Sequence, residues 1–193
     1  MKINYSHIVN LLNRILIFIN DLLKVKFIKN KEIDILFDKI TTQSLEKNLY
    51  LKFRIKDSFE NRFELLLIHI ILVVKVIKSD DLVSNQYVQM IYDKTFQYLD
   101  SSFREMGLGD KAIEQNMSKL FGNFIIKVRL YEKALNENND SSLKMNLLNY
   151  IYDKNLPPNE TLYELTKYVR IQEKHLFMSV NKLFLFNEII FKN

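Results

Sequence analysis

Apolar residues recur at helical spacing along almost the whole chain. Over positions 5–28 they form one stripe with polar residues opposite, which is typical of an amphipathic helix. The stripe consists of Ile8, Leu11, Leu12, Ile15, Phe18, Ile19, Leu22 and Leu23. Polar residues interrupt this segment too often for a bilayer span, which needs about 20 apolar residues. A shorter helix is predicted over 31–41, with Asn30 as its N-terminal cap.

The most apolar segment follows, over 63–77, and it is hydrophobic on nearly all sides. This run of about fifteen residues is short for a membrane span and carries His69 and Lys75. It therefore predicts the central helix of a helical bundle. Asp57, with Glu60 three residues later, has the spacing of a capping box at the start of this helix.

Further helices complete the predicted fold. They are expected over 84–106, 110–135 and 143–153, and a last helix ends at about 181. Asp110 is the expected cap of the second of these helices, and Asn159 or Thr161 is the expected cap of the last. Residues 137–142 are expected to form a polar loop. Gly107 is expected to end the first of them, because glycine adopts the left-handed conformation of a helix stop. Only three Gly and two Pro occur, too few for a turn-rich β-sandwich or barrel. The sequence predicts an all-α protein: a single helical bundle domain over 40–193, preceded by a basic amphipathic helical arm over 1–39.

The basic charge is concentrated near the N-terminus. The formal net charge is +5, and residues 1–56 carry 11 Lys and Arg against 5 Asp and Glu, whereas residues 57–193 are nearly balanced. The densest basic group is Lys24, Lys26, Lys29 and Lys31. These lysines could contact an anionic membrane surface or ribosomal RNA, or simply solvate a helix end. No helix concentrates Arg and Asn on one face, so we expect no DNA binding.

No pattern in the chain indicates catalysis. The absence of Cys excludes disulfides and thiol nucleophiles, and His7, His69 and His175 lack the second histidine of a helical zinc site. His69 lies in an apolar helix and is expected to be a neutral core histidine that donates to a carbonyl. A helical isoprenoid synthase would need two facing Asp-rich motifs, and only Asp80-Asp81 occurs. We therefore expect neither enzymatic activity nor a cofactor or metal.

Charged residues cluster around one predicted helix end. Asp100 and Arg104 are four residues apart and can form an ion pair on one helix face. Two interpretations remain open: a capped corner between two helices, or a rigid polar patch that faces a partner. The physical chemistry of helix ends alone favours the corner, because a cation in the last turn suits the helix dipole.

This stretch resembles the ubiquinol–cytochrome c chaperone family. Residues 100–110 read DSSFREMGLGD, similar to the family's DxxFREMGxGD, and the following helix carries FxxKxxxYExAL from Phe124. Upstream, 57–69 is similar to the family's DTxxxRFxxLxLH. Downstream, 147–152 and 165–170 lie where the family has its Arg-Asn-hydrophobic-Tyr and Tyr-Val-Arg segments.

The resemblance implies a non-enzymatic, soluble assembly chaperone for the cytochrome bc1 complex, complex III of the respiratory chain. Such a protein binds newly made cytochrome b, together with a smaller assembly partner, at the cytoplasmic face of the inner membrane. The alternative is a ribosome- or RNA-binding helical module that acts through the basic arm, Lys24, Lys26, Lys29 and Lys31. The residues expected to face the partner are Arg62, Asp100, Arg104, Glu105, Gly107, Gly109 and Asp110. Lys127 stands where the family has Arg, so a bidentate contact is not expected there.

Overall fold

The computed structural model describes residues 31–78, 84–152, 154, 157–179 and 191–192. Within these residues the chain forms helices and no strand, which confirms the all-α prediction. The helices are α1 over 31–44, α2 Lys47–Lys52, α3 Phe59–Lys78, α4 Ser84–Glu105, α5 Asp110–Asn136, α6 Asp140–Tyr150 and α7 Asn159–Ser179. Several predicted features lie outside the described residues: the helix over 5–28, the cap Asn30, and the lysines Lys24, Lys26 and Lys29.

α3 is the central helix of the bundle, as its apolar run predicts. It packs against α4, α5 and α7, and almost every side chain over 63–77 is buried. Complete burial of one Leu, Ile or Val side chain contributes about 1.5–3 kcal/mol, so this helix is a main source of stability. No helix in the described part of the chain is long and apolar enough to span a membrane.

The other helices surround α3 in chain order. α4 packs on α5, α5 on α6 and α6 on α7. α1 belongs to the same core, because Leu36, Phe37 and Ile40 on its inner side are buried there. The predicted boundary between the N-terminal arm (1–39) and the bundle domain (40–193) falls inside this helix. The division into arm and domain stays a prediction.

The start of α3 differs from its predicted cap. The helix begins at Phe59, and the Ser58 hydroxyl accepts a hydrogen bond from the backbone N–H of Asn61 at 3.3 Å. Asp57 instead binds Arg62 through both carboxylate oxygens, at 2.6 and 2.9 Å. The predicted capping box is therefore wrong, because the carboxylate of Asp57 has a guanidinium partner in place of the helix N–H groups.

Two further helix starts differ in the same way. α6 begins at Asp140, inside the predicted polar loop, because the Asn139 side chain accepts a hydrogen bond from the Ser142 N–H at 3.0 Å. α5 is capped by Gly109, and Asp110 is its first helical residue. In that position the Asp110 carboxylate suits the positive end of the helix dipole without capping the helix. The short helix α2, six residues long, was not predicted.

Candidate protein interaction site

The corner between α4 and α5 is a regular helix stop. Gly107 has a φ of +80°, in the left-handed region. Its N–H donates to the Arg104 carbonyl at 2.9 Å, and the Leu108 N–H donates to the Phe103 carbonyl at 3.1 Å. These two bonds are the Schellman motif, which satisfies carbonyls at the end of α4. The predicted stop at Gly107 is confirmed.

Arg104 links the two helices across this corner. Its Nε donates to Asp100 at 2.8 Å within α4, and its Nη1 donates to Asp110 at 2.9 Å at the start of α5. The two carboxylates raise the pKa of Arg104 above its ordinary value. The predicted pair of Asp100 and Arg104 therefore forms, and the guanidinium also holds a second carboxylate. Its side chain remains 55% exposed, and its role toward a partner stays a prediction.

Arg62 lies apart from the Arg104 cluster, at the start of α3. Its bidentate pair with Asp57 lowers the pKa of Asp57 and raises that of Arg62. Arg62 and Glu105 line one cleft of about 270 Å³, which Asp100, Arg104 and Asp110 do not line. The predicted partner-facing residues thus divide into two neighbouring groups.

A second cleft of about 480 Å³ lies next to the first, and both are lined by Leu45 and Arg62. We call the two together the Arg62 groove. Large apolar side chains on its walls are exposed to solvent: Leu45, Leu51, Tyr98 and Met106, with exposed fractions of 43%, 65%, 37% and 51%. These four residues, the apolar rim, were not among the predicted site residues. Exposed apolar side chains around a concave surface are typical of protein-binding sites.

A buried ion pair joins α3 to α5. Glu64 on α3 is fully buried; the Lys127 ammonium binds one of its carboxylate oxygens, and the Tyr131 hydroxyl donates to the other at 2.8 Å. Burial raises the pKa of Glu64, and the two partners oppose that rise. The Lys127 ammonium also lies 4.6 Å from the centre of the Tyr150 ring, a cation–π contact. Lys127, where the family has Arg, is thus the counterion of Glu64.

His69 is a neutral core histidine, as predicted. Its Nδ1 lies 2.7 Å from the Leu65 carbonyl oxygen, which can only accept, so Nδ1 carries the proton. Nε2 then accepts from the Tyr168 hydroxyl at 2.8 Å. Burial lowers the pKa of His69 to about 4 and raises the pKa of Tyr168 to about 12. These groups connect α3 to α7 and leave His69 no access to solvent.

The Tyr-Val-Arg segment on α7 also has an internal role. Arg170 binds Asp140 and Glu173, each at 2.8 Å, and its Nη2 donates to the Ala134 carbonyl at 3.2 Å. It therefore neutralises two carboxylates and satisfies a carbonyl near the end of α5. Among the described residues no group of acidic or histidine side chains could hold a metal ion. Lys31, the first described residue, is exposed.

Comparisons with known proteins agree with the resemblance of the sequence motifs. The family model for ubiquinol-cytochrome C chaperones matches residues 51–191. The structure is similar to the crystal structure of the Cbp3 homolog from Brucella abortus, with a TM-score of 0.77 and 27% sequence identity. That match covers 91% of this chain and 97% of the other. No curated protein sequence matches the chain.

Proposed function

We propose, from the premise that this chain belongs to the ubiquinol–cytochrome c chaperone family, that it binds newly made cytochrome b. It acts without catalysing a reaction, and holds cytochrome b until the bc1 complex is assembled. A smaller protein assists it, at the cytoplasmic face of the inner membrane. The family match and the structural likeness to the Cbp3 homolog support the chaperone role; the client and the location are our proposal.

The Arg62 groove is the observation that carries this proposal. Its apolar rim combines exposed Leu, Met and Tyr side chains around one guanidinium. Transfer of such side chains from water to a protein contact gains roughly 25 cal/mol per Å² of apolar surface. A membrane protein that has not yet met its partner subunits presents apolar surface of this kind. Arg62 can exchange Asp57 for a carboxylate or carbonyl group at the end of an apolar client segment.

The test measures cytochrome b with and without the apolar rim. A tagged chain is expressed in a related bacterium that lacks its own version, and two readouts are taken: cytochrome b that co-purifies, and haem b in reduced-minus-oxidised spectra. The variant Leu51→Gln/Met106→Gln makes the rim polar. The control Met178→Gln changes a methionine of α7 that is 72% exposed and does not line the groove.

We expect the wild-type chain and Met178→Gln to restore haem b and to retain cytochrome b. The double variant should retain at least about tenfold less, because burial of a Leu or Met side chain contributes about 1.5–3 kcal/mol and about 1.4 kcal/mol is tenfold in affinity. Far-UV circular dichroism should show the same helicity for all three proteins. If cytochrome b never co-purifies with the wild-type chain, the proposed client is wrong. If it co-purifies equally with the double variant, the site is wrong.

A further inference from the structure

The segment Phe191–Lys192 is held on α7 in the manner of a bound peptide. The Gln172 side-chain oxygen accepts a hydrogen bond from the Lys192 N–H at 2.8 Å, and its amide nitrogen donates to the Lys192 carbonyl. One carboxamide therefore pairs with both main-chain groups of a single residue. Such pairing recognises an extended backbone and does not depend on the side chain of the residue that is held.

Beside this contact an aromatic side chain fills a pocket. Phe191 is buried, and its ring centre lies 5.2 Å from that of His69 in an edge-to-face arrangement. The Tyr168 ring packs against His69 with its centre at 5.9 Å, and Tyr168 lines the same groove as Gln172 and Lys192. Aromatic rings gain from this edge-to-face geometry in addition to the burial of their surface. The pocket therefore selects for an aromatic residue directly before the residue that Gln172 holds.

Gln172 itself is prepared for this partner. It is a buried polar residue, 1% exposed, whose side chain also hydrogen-bonds to Tyr168, and loss of either main-chain partner without a replacement is unfavourable in such a place. When the tail leaves, another main-chain amide would satisfy the same two groups.

An open groove continues from the seated segment. It has a volume of about 620 Å³, lies between α1 and α2 on one side and α7 on the other, and includes Tyr168, Gln172 and Lys192 in its lining. Its floor is formed by apolar groups such as Leu49 and Phe53. A bound segment therefore has room to continue past the position of Lys192. Nothing among the described residues fills this space.

We propose that Gln172, His69 and Tyr168 form a binding site for an extended polypeptide segment with an aromatic residue, which the chain's own Phe191–Lys192 occupies until a partner segment displaces it. The tail is thus an intramolecular competitor of the partner. This site is separate from the Arg62 groove and does not depend on the identity of the client. Its test is made on purified protein without cytochrome b.

The experiment uses full-length variants and a fluorescent peptide, acetyl-Ile-Ile-Phe-Lys-Asn-amide, which repeats the sequence 189–193. Binding is followed by fluorescence anisotropy. Wild type should bind weakly, because a tethered tail competes at an effective concentration of about millimolar. Phe191→Ala empties the pocket and should bind the peptide at least about tenfold more tightly. The double variant Phe191→Ala/Gln172→Ala should not show this tighter binding. A peptide with Ala in place of Phe should also not bind more tightly to Phe191→Ala than to wild type.

Lys192→Ala is the matched control, because only main-chain atoms of Lys192 bond to Gln172. It should bind the peptide as weakly as wild type. The proposal is overturned if wild type and Phe191→Ala bind the peptide equally. It is also overturned if Phe191→Ala/Gln172→Ala binds the peptide as tightly as Phe191→Ala does.

A measurement on the wild type covers the case in which Phe191→Ala does not fold. The Lys192 N–H should exchange with deuterium by local opening, faster than amides in the middle of α3 that exchange by global unfolding. If the Lys192 N–H exchanges only as slowly as those core amides, the tail is a permanent part of the core. The proposal is then wrong.

Discussion

Two of the ion-pair groups in the described part of the chain lie in opposite surroundings. The carboxylate of Glu64, paired with Lys127, is completely buried, whereas the cluster around Arg104 lies in solvent, with the arginine 55% exposed. A buried charge without its partner is costly, so Glu64 and Lys127 must remain paired for the fold to be stable. An exposed pair contributes little, so its members can exchange partners at small cost. The exposed cluster around Arg104 can therefore exchange its carboxylate partners for groups of another molecule, and its role toward a partner stays a prediction.

The same contrast separates Arg62 and Arg170, two of the arginines in the family-like motifs. Arg170 is largely buried and donates to two carboxylates and to main-chain carbonyls of α5. Arg62 is 56% exposed and has one carboxylate partner beside the apolar rim. All three side-chain nitrogens of Arg170 thus donate to groups of the fold. Arg62 can offer its guanidinium to another molecule.

Removal of one buried charge is expected to have the largest effect. Lys127→Met leaves the Glu64 carboxylate buried beside Tyr131 without its counterion. The free energy of unfolding at pH 7 should fall by about 3–5 kcal/mol. Urea unfolding followed by circular dichroism measures this change.

Two controls accompany Lys127→Met. Lys119→Met makes the same substitution on an exposed part of α5 and should change the free energy by less than about 0.5 kcal/mol. Glu64→Gln/Lys127→Met removes both charges, keeps an acceptor for Tyr131, and should recover most of the lost stability. If Lys127→Met is no worse than Lys119→Met, the buried pair does not determine stability.

The buried histidine predicts a smaller, pH-dependent effect. The pKa of His69 is about 4 in the folded chain, against an ordinary value of 6.5. Between these values the unfolded chain binds more protons, so the stability that His69 contributes is complete above pH 6.5 and is lost as the pH falls toward 4. The loss amounts to about 3 kcal/mol. Urea unfolding of wild type and His69→Gln at pH 7, 6, 5 and 4.5 measures this loss. The free energy of unfolding of the variant should fall less steeply with decreasing pH than that of the wild type. If the free energy of unfolding of His69→Gln depends on pH as steeply as that of the wild type, His69 is not a neutral buried histidine.

The sequence predicted those features that depend on neighbouring residues. The apolar run over 63–77 identified the central helix, Gly107 identified the helix stop, and the spacing of Asp100 and Arg104 identified their ion pair. Each of these follows from helix periodicity or from contacts within about one turn. They therefore required no knowledge of how the helices pack.

Features that join distant residues were not predicted. Glu64 and Lys127 are 63 positions apart, and His69 and Tyr168 are 99 apart. Only the packing of α3 against α5 and α7 brings them together, and periodicity contains no information on that packing. The Arg62 groove was missed for the same reason, since part of its apolar rim belongs to the unpredicted α2.

The smallest effect on stability is expected at the exposed corner. Arg104→Glu removes the link between Asp100 and Asp110, yet the midpoint of thermal unfolding should be nearly unchanged, because water and salt screen all three charges. If the corner contacts the client, the bacterium that expresses Arg104→Glu should still accumulate less haem b than the one that expresses the wild-type chain. Arg129→Glu makes the same charge change on the exposed side of α5 and should leave haem b unaffected. A clear drop in the unfolding midpoint of Arg104→Glu would make Arg104 a structural residue, and an equal loss of haem b in both variants would assign the effect to net charge.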